Sequence, residues 1–127
     1  KSPGPRTGKV KALEEAGVSA HIFNPDDGYE PLKGRALEDL RSATHVVTTI
    51  PPVADFNRDP VLEFHAKDLQ HSEELVWAGY LSTTGVYGNH DGAWVSESSE
   101  TRVSEGHRSY HRLEAEKAWL ELCPTVP

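Results

Sequence analysis

Helix-spaced segments alternate with strand-spaced ones along the chain, which predicts an α/β fold with crossover helices joining the strands of a parallel, doubly wound sheet. Two stretches carry that expectation. Leu75-Val76-Trp77-Ala78-Gly79-Tyr80-Leu81 is an apolar run of strand length that discharges into the hydroxyl cluster Ser82-Thr83-Thr84, followed by Gly85 and Gly88. Thr44-His45-Val46-Val47-Thr48-Thr49-Ile50 is β-branched almost throughout and is stopped at once by Pro51-Pro52. In open α/β sheets ligands sit beyond the carboxyl ends of the strands, so hydroxyls at such an end are candidate site residues. Ser and Thr also end strands simply by satisfying loose backbone groups, and that structural reading stands beside the functional one.

Taken in order, Lys1 to Gly8 is rich in Pro and Gly and reads as irregular. From Lys9 a helix follows, with Val10, Ala12, Leu13 and Ala16 on neighbouring faces and Gly17 as its stop. Val18 to Phe23 reads as a strand, broken by the turn Asn24-Pro25-Asp26-Asp27-Gly28. A helix over Leu32 to Leu40 precedes the β-branched run. Asp59-Pro60 then reads as an N-cap with proline at the first helical position, opening a helix through Val61, Leu62, Phe64, His65 and Leu69. After the Leu75 strand comes a long loop from Asn89 to about Glu105, in which the tryptophan and hydroxyl cluster around Trp94 is expected to pack back onto the sheet. A final helix spans about Gly106 to Leu122. Trp77 and Trp119 are expected in the core.

The 127 residues leave room for one domain with a modest core and show no internal repeat. No apolar run approaches the ~20 residues that span a bilayer, and no signal-peptide pattern appears. A net charge of −7 argues against a general nucleic-acid binder, which needs a basic face for phosphates. The single cysteine, Cys123, excludes an internal disulfide and suits a reducing compartment, cytoplasmic or organellar. The chain opens on a helix with no strand before it and stops where a further strand is expected, so it reads as an incomplete unit.

On the final helix Ala115, Ala118, Trp119 and Leu122 form an i, i+3, i+4, i+7 stripe that should face the sheet. Continued toward the amino end, the stripe meets Arg108, His111 and Arg112. Two arginines on a buried side are badly desolvated without an anionic partner, which a phosphate or carboxylate supplies. Alternatively the guanidinium groups reach water or pair with Glu114 and Glu116.

The elements Tyr80-Leu81-Ser82-Thr83-Thr84-Gly85-Val86-Tyr87-Gly88, Gly92-Ala93-Trp94-Val95 with Glu97, and Arg112-Leu113-Glu114-Ala115-Glu116 resemble the extended short-chain dehydrogenase/reductase superfamily, in its NAD-dependent epimerase/dehydratase family. The Gly-Ala-Trp-Val element and the Thr-Ile-Pro-Pro after the preceding strand point to an atypical, sugar-epimerase-like branch. The likeness runs from Arg6 to Leu122. It implies a partial Rossmann-like domain lacking the first strand with its Gly-rich turn and the carboxy-terminal substrate part. It further implies NAD or NADP as cofactor, NADP slightly preferred, and a small substrate such as a nucleotide sugar. A homodimer through the helices around Phe64 and Trp119 is a further implication.

Carried over position by position, the resemblance puts the catalytic Ser/Thr at Thr83, with Ser82 beside it. The family's Tyr and Lys of its Tyr-x-x-x-Lys motif fall on Arg108 and Arg112. Arginine stays protonated at ordinary pH, so Arg108 cannot act as the general acid or base. Arg112 can still hold ribose or phosphate oxygens. Tyr110 points roughly 200° around a regular helix from Arg108 and is a poor substitute. On the cofactor side the positions are Arg6 near a 2′-phosphate, Asn24 near adenine, and Thr49, Ile50 and Pro51 near the nicotinamide ribose. His107 and His111, one turn apart with Glu114 beyond, are weighed as metal ligands and set aside, because the glutamate of H-E-x-x-H is missing.

Overall fold

The computed structural model describes residues 5–23, 29–53 and 59–122, and the side chains of residues 5–7 fall outside the description. Its elements are α1 (Pro5–Glu15), α2 (Arg35–Arg41), β1 (His45–Thr48), α3 (Pro60–Gln70), β2 (Trp77–Tyr80), a 3₁₀ turn (Thr84–Tyr87) and α4 (Tyr110–Leu122). Among the described residues the two strands form one parallel pair, His45 opposite Trp77 and Thr48 opposite Tyr80. Parallel neighbours need a crossover, and α3 supplies it. A mixed α/β architecture with a parallel sheet is therefore present, with four helices and two strands among the described residues.

The period-2 alternation of a strand decides which face packs. Val46, Ala78 and Tyr80 join a core built on buried Val61 and Leu69 of α3 and Trp119 of α4, which Leu40 of α2 also touches. Val47 and Trp77 point the other way, 58% and 40% exposed. Trp77 is thus not a core residue. Its indole folds along its own strand, filling the space that a Cβ at Gly79 would occupy. Trp119 does sit in the core.

Asp59 is the joint between the two long helices. Its Oδ1 accepts from the backbone N–H of Val61 (2.8 Å) and Leu62 (3.2 Å), capping α3 as the Asp-Pro pattern predicts. Its Oδ2 accepts from Trp119 Nε1 at 3.1 Å, tying α4 down on the same cap. The carboxylate is buried, its residue 2% exposed, and satisfied by these three donors.

A second tie runs through His65, 2% exposed. Its Nε2 accepts from the Leu32 N–H at 2.9 Å, which leaves the ring proton on Nδ1, donated to Asp68 Oδ2 at 3.0 Å. Asp68 Oδ1 meets Arg41 Nη2 at 2.7 Å, joining α2 to α3. The His65 hydrogen bond, and then Arg41, hold the Asp68 carboxyl below the usual aspartate range. A carboxyl depressed on folding adds stability that is complete above its unfolded value of about 3.9 and fades as pH falls through the lower folded one. Urea unfolding across that acid range is expected to show a shallower loss of stability in Asp68→Asn, with the variant less stable than the parent at neutral pH. Identical acid limbs would contradict the linkage.

Several expectations are corrected. α1 begins at Pro5 rather than after Gly8, with the proline at the first helical position where its missing N–H costs nothing. Val18 to Phe23 forms no strand, and among the described residues no strand lies beside it. Instead Ser19 and His21 turn onto Asp39 of α2. Asn24 and the turn around it lie outside the described residues. α4 begins at Tyr110, since turns precede it: Ser109 N–H donates to His107 Nδ1 and Tyr110 N–H to His107 O. Arg108 therefore sits in a turn and is exposed, so the two arginines do not share one buried helical stripe. Ala115 is buried and Leu122 half-buried, but Ala118 is exposed and Leu113 takes the inward place.

Candidate functional site

Because β1 and β2 are parallel and in register, both chains leave the sheet at one end, where Leu81 N–H still donates to Thr48 O at 3.0 Å. Thr49, Ile50 and Pro51 on one side and Ser82 and Thr83 on the other thus share one rim. Thr49 and Pro51 are exposed there, while Ile50 is half-buried against the core. Arg112 reaches the same rim from α4. Its Nη1 donates to Leu81 O at 2.8 Å and contacts the Tyr80 hydroxyl at 3.5 Å, with the guanidinium carbon 5.8 Å from the Tyr80 ring centre.

Both partners of Arg112 are neutral, and no carboxylate among the described residues pairs with it. Glu114, two residues on, pairs instead with Lys117 at 2.9 Å. The guanidinium is held by Leu81 O and lies by Tyr80, which stacks on Trp119 at 6.4 Å, and it makes no ion pair among the described residues. Burial pushes the Tyr80 phenol above its usual range in spite of Arg112, so it stays protonated at ordinary pH.

Ser82 Oγ is buried and has no hydrogen-bond partner among the described residues. An orphaned hydroxyl of this kind costs about 1–3 kcal/mol unless something fills the gap. Thr83 caps the 3₁₀ turn, its Oγ1 accepting from Gly85 N–H at 3.3 Å, which leaves the hydroxyl proton free to donate. Gly88, at φ +70°, closes the turn against the Arg102 backbone, and Arg102 N–H donates to Tyr87 O at 3.0 Å. The loop between them is pinned at its base. Trp94 at its far side is fully exposed and does not pack on the sheet, contrary to expectation.

Of the residues singled out from the sequence, the structure thus gathers Thr49, Ile50, Pro51, Ser82, Thr83 and Arg112 at one rim. Arg108 points to solvent, Arg6 lies in the first turn of α1 with its side chain undescribed, and Asn24 is undescribed.

Two side-chain clusters escaped the sequence reading. Ser19 Oγ donates to Asp39 Oδ2 at 2.6 Å, His21 Nε2 meets the same oxygen at 2.7 Å, and Arg35 Nε lies 3.9 Å away. The His21 and Ser19 hydrogen bonds lower the Asp39 carboxyl below its usual range. Ser19 Oγ also lies 3.2 Å from His21 Nε2, but Asp39 meets that same ring nitrogen, so no relay from Ser through the two nitrogens of His to Asp exists here. The other cluster is His65-Asp68-Arg41, whose imidazole is fully committed. No signal in sequence joins partners about twenty residues apart that meet only after folding. His107 is likewise used by its own turn, and among the described residues no three His, Cys, Asp or Glu groups gather in metal-binding geometry. An open groove of about 490 Å³ runs between α3 and α4, lined by Leu62, Glu63, His111 and Ala118 among others. None of the described helices is long and apolar enough to cross a membrane.

The fold and the rim together define a mixed α/β protein with a polar, cation-bearing lip at the carboxyl end of a parallel strand pair. No family model, no curated protein and no solved structure matches the chain.

Proposed function

We propose that the chain is the dinucleotide-binding part, Rossmann-like and doubly wound, of an NAD(P)-dependent oxidoreductase of the epimerase/dehydratase type. Its substrate is a small molecule such as a nucleotide sugar, and NADP is slightly preferred over NAD. The observation that carries this reading is that Arg112, bonded to Leu81 O and without an ion pair among the described residues, stands at the same strand rim as the orphaned Ser82 hydroxyl. A phosphate or ribose oxygen answers both at once. Thr83 lies beside them with a free hydroxyl proton for a substrate oxygen, and Thr49 to Pro51 form the facing wall. Pairing of two copies along α3 and α4 belongs to the same proposal.

One observation favours a second reading, a catalytically silent NAD(P) sensor or interaction module. Arg108 and Arg112 stand where the resembled family has its proton-transfer pair, and a guanidinium is chemically unsuited to general acid-base work. Fluorescence titration with NADPH and NADH, followed by absorbance assays with candidate sugars, separates the two. Turnover that falls at least a hundredfold in Thr83→Ala, with NADPH affinity retained, is the expected result for the enzyme. Saturable binding without turnover, indifferent to Thr83→Ala, supports the sensor. Absence of any saturable dinucleotide binding overturns both.

A further inference from the structure

Ahead of α2 the chain runs as a strap, residues 29–33, without regular secondary structure. Tyr29 and Leu32 are half-buried, while Glu30, Pro31 and Lys33 between and after them are exposed. The Tyr29 ring meets Phe23 at 4.6 Å, and Phe23 stands 6.1 Å from the His65 ring. From Glu30 to Lys33 the backbone makes a single hydrogen bond among the described residues, Leu32 N–H to His65 Nε2 at 2.9 Å. A strap fastened by an imidazole lone pair is fastened by an acceptor that a proton can block.

That lone pair exists only in the neutral ring. Nδ1 already carries the ring proton and commits it to Asp68 Oδ2 at 3.0 Å, so a second proton has only Nε2 to go to. Once there, it aims one donor at another, the Leu32 N–H, in a site where the imidazole is 2% exposed. A buried N–H without an acceptor is costly, which drives the Leu32 amide out toward water. The new charge has a counter-ion in place. Asp68 keeps its bond to Nδ1, and His65 and Arg41 together hold its carboxyl below the usual range, hence ionised. The remaining charged groups around the latch are engaged elsewhere or turned outward. Glu30 and Lys33, flanking Leu32, pair with each other at 3.5 Å, and Asp39 of α2 is taken by Ser19 and His21, with Arg35 at 3.9 Å. Glu63 and Lys67, two residues to either side of His65 on α3, are exposed.

We propose that His65 is a proton-operated latch: its neutral ring fastens the 29–33 strap, and protonation at Nε2 releases the strap while Asp59 keeps α3 and α4 joined. Release frees Leu32 and Tyr29 from the Phe23 side of the core and loosens the lead into α2. The Arg41 to Asp68 tie between α2 and α3 stays closed, so the change is local. The latch stands whether or not a dinucleotide binds at the rim.

The test follows two observables on the full chain as pH is lowered through the imidazole range: the ring-nitrogen resonances of His65 and the hydrogen-exchange protection factor of the Leu32 amide. At neutral pH the ring is expected with its proton on Nδ1. Protonation of Nε2 and a fall in Leu32 protection of at least tenfold are expected to share one midpoint, with the Trp119 indole N–H, held by Asp59, still protected. In His65→Gln, whose amide oxygen accepts from Leu32 but does not titrate, Leu32 protection is expected to stay flat over the same range. Should that variant not fold, the parent chain decides by itself. A proton on Nε2 at neutral pH, Leu32 protection unchanged once His65 has titrated, His65 titrating only as Trp119 also loses protection, or a folded His65→Gln that still loses Leu32 protection would overturn the proposal.

Discussion

Asp59→Ala is expected to lower the unfolding free energy by about 3 kcal/mol, the largest stability loss of any single substitution considered. The loss of the α3 cap contributes ~1 kcal/mol. Stranding the buried Trp119 indole N–H adds roughly 1–3 kcal/mol. The two effects share one residue because Oδ1 serves the cap and Oδ2 serves Trp119. Against a total stability of about 5–15 kcal/mol for an ordinary domain, that fraction is large. Asp59→Asn keeps an acceptor for the cap but turns an NH₂ toward one of the donors, so an intermediate loss is expected. Urea unfolding followed by Trp fluorescence measures both. A loss below 1 kcal/mol for the alanine variant would mean that the two helices are held by apolar packing alone.

Arg112→Ala is expected to weaken NADPH binding at least tenfold, equivalent to about 1.4 kcal/mol. A charge-assisted hydrogen bond to phosphate contributes about 1.5–3 kcal/mol, and none of the neutral groups at the rim replaces it. Arg112→Lys should recover only part of the affinity. An ammonium restores charge but not the planar fork that reaches Leu81 O while lying over the Tyr80 ring. Because Arg112 makes no ion pair within the described protein, its removal should cost little stability. Binding and folding effects therefore separate cleanly at this residue, whereas at Asp59 they do not.

The elements most legible in the sequence were those whose cause is local. Asp59-Pro60 announces a helix start by chemistry confined to four residues, and α3 begins where it says. The β-branched run before Pro51-Pro52 and the apolar run before Ser82 mark both strands, trimmed at each end because pairing needs a neighbour opposite. Local signals failed where tertiary partners decide. Val18 to Phe23 has strand composition, but with no neighbouring strand among the described residues its polar side chains find Asp39. Gly106 to Ser109 has helix spacing, yet His107 accepts from the chain ahead of it and holds the segment in turns, delaying α4 and putting Arg108 in solvent. Trp77 looked like core by residue type, but strand alternation in a sheet covered on one side put it outward. At the rim, strand polarity alone brings the two strand ends together, whereas Arg112 arrives there from α4 through its bond to Leu81 O.

The most direct test of the account is to map NADPH binding onto the chain by amide-shift perturbation. Saturable shifts concentrated on residues 49–51, 81–85 and 109–113, displaced or abolished in Arg112→Ala, are the predicted result. Shifts confined to α1, α2 or the groove between α3 and α4, or no shift at all at saturating NADPH, would contradict it.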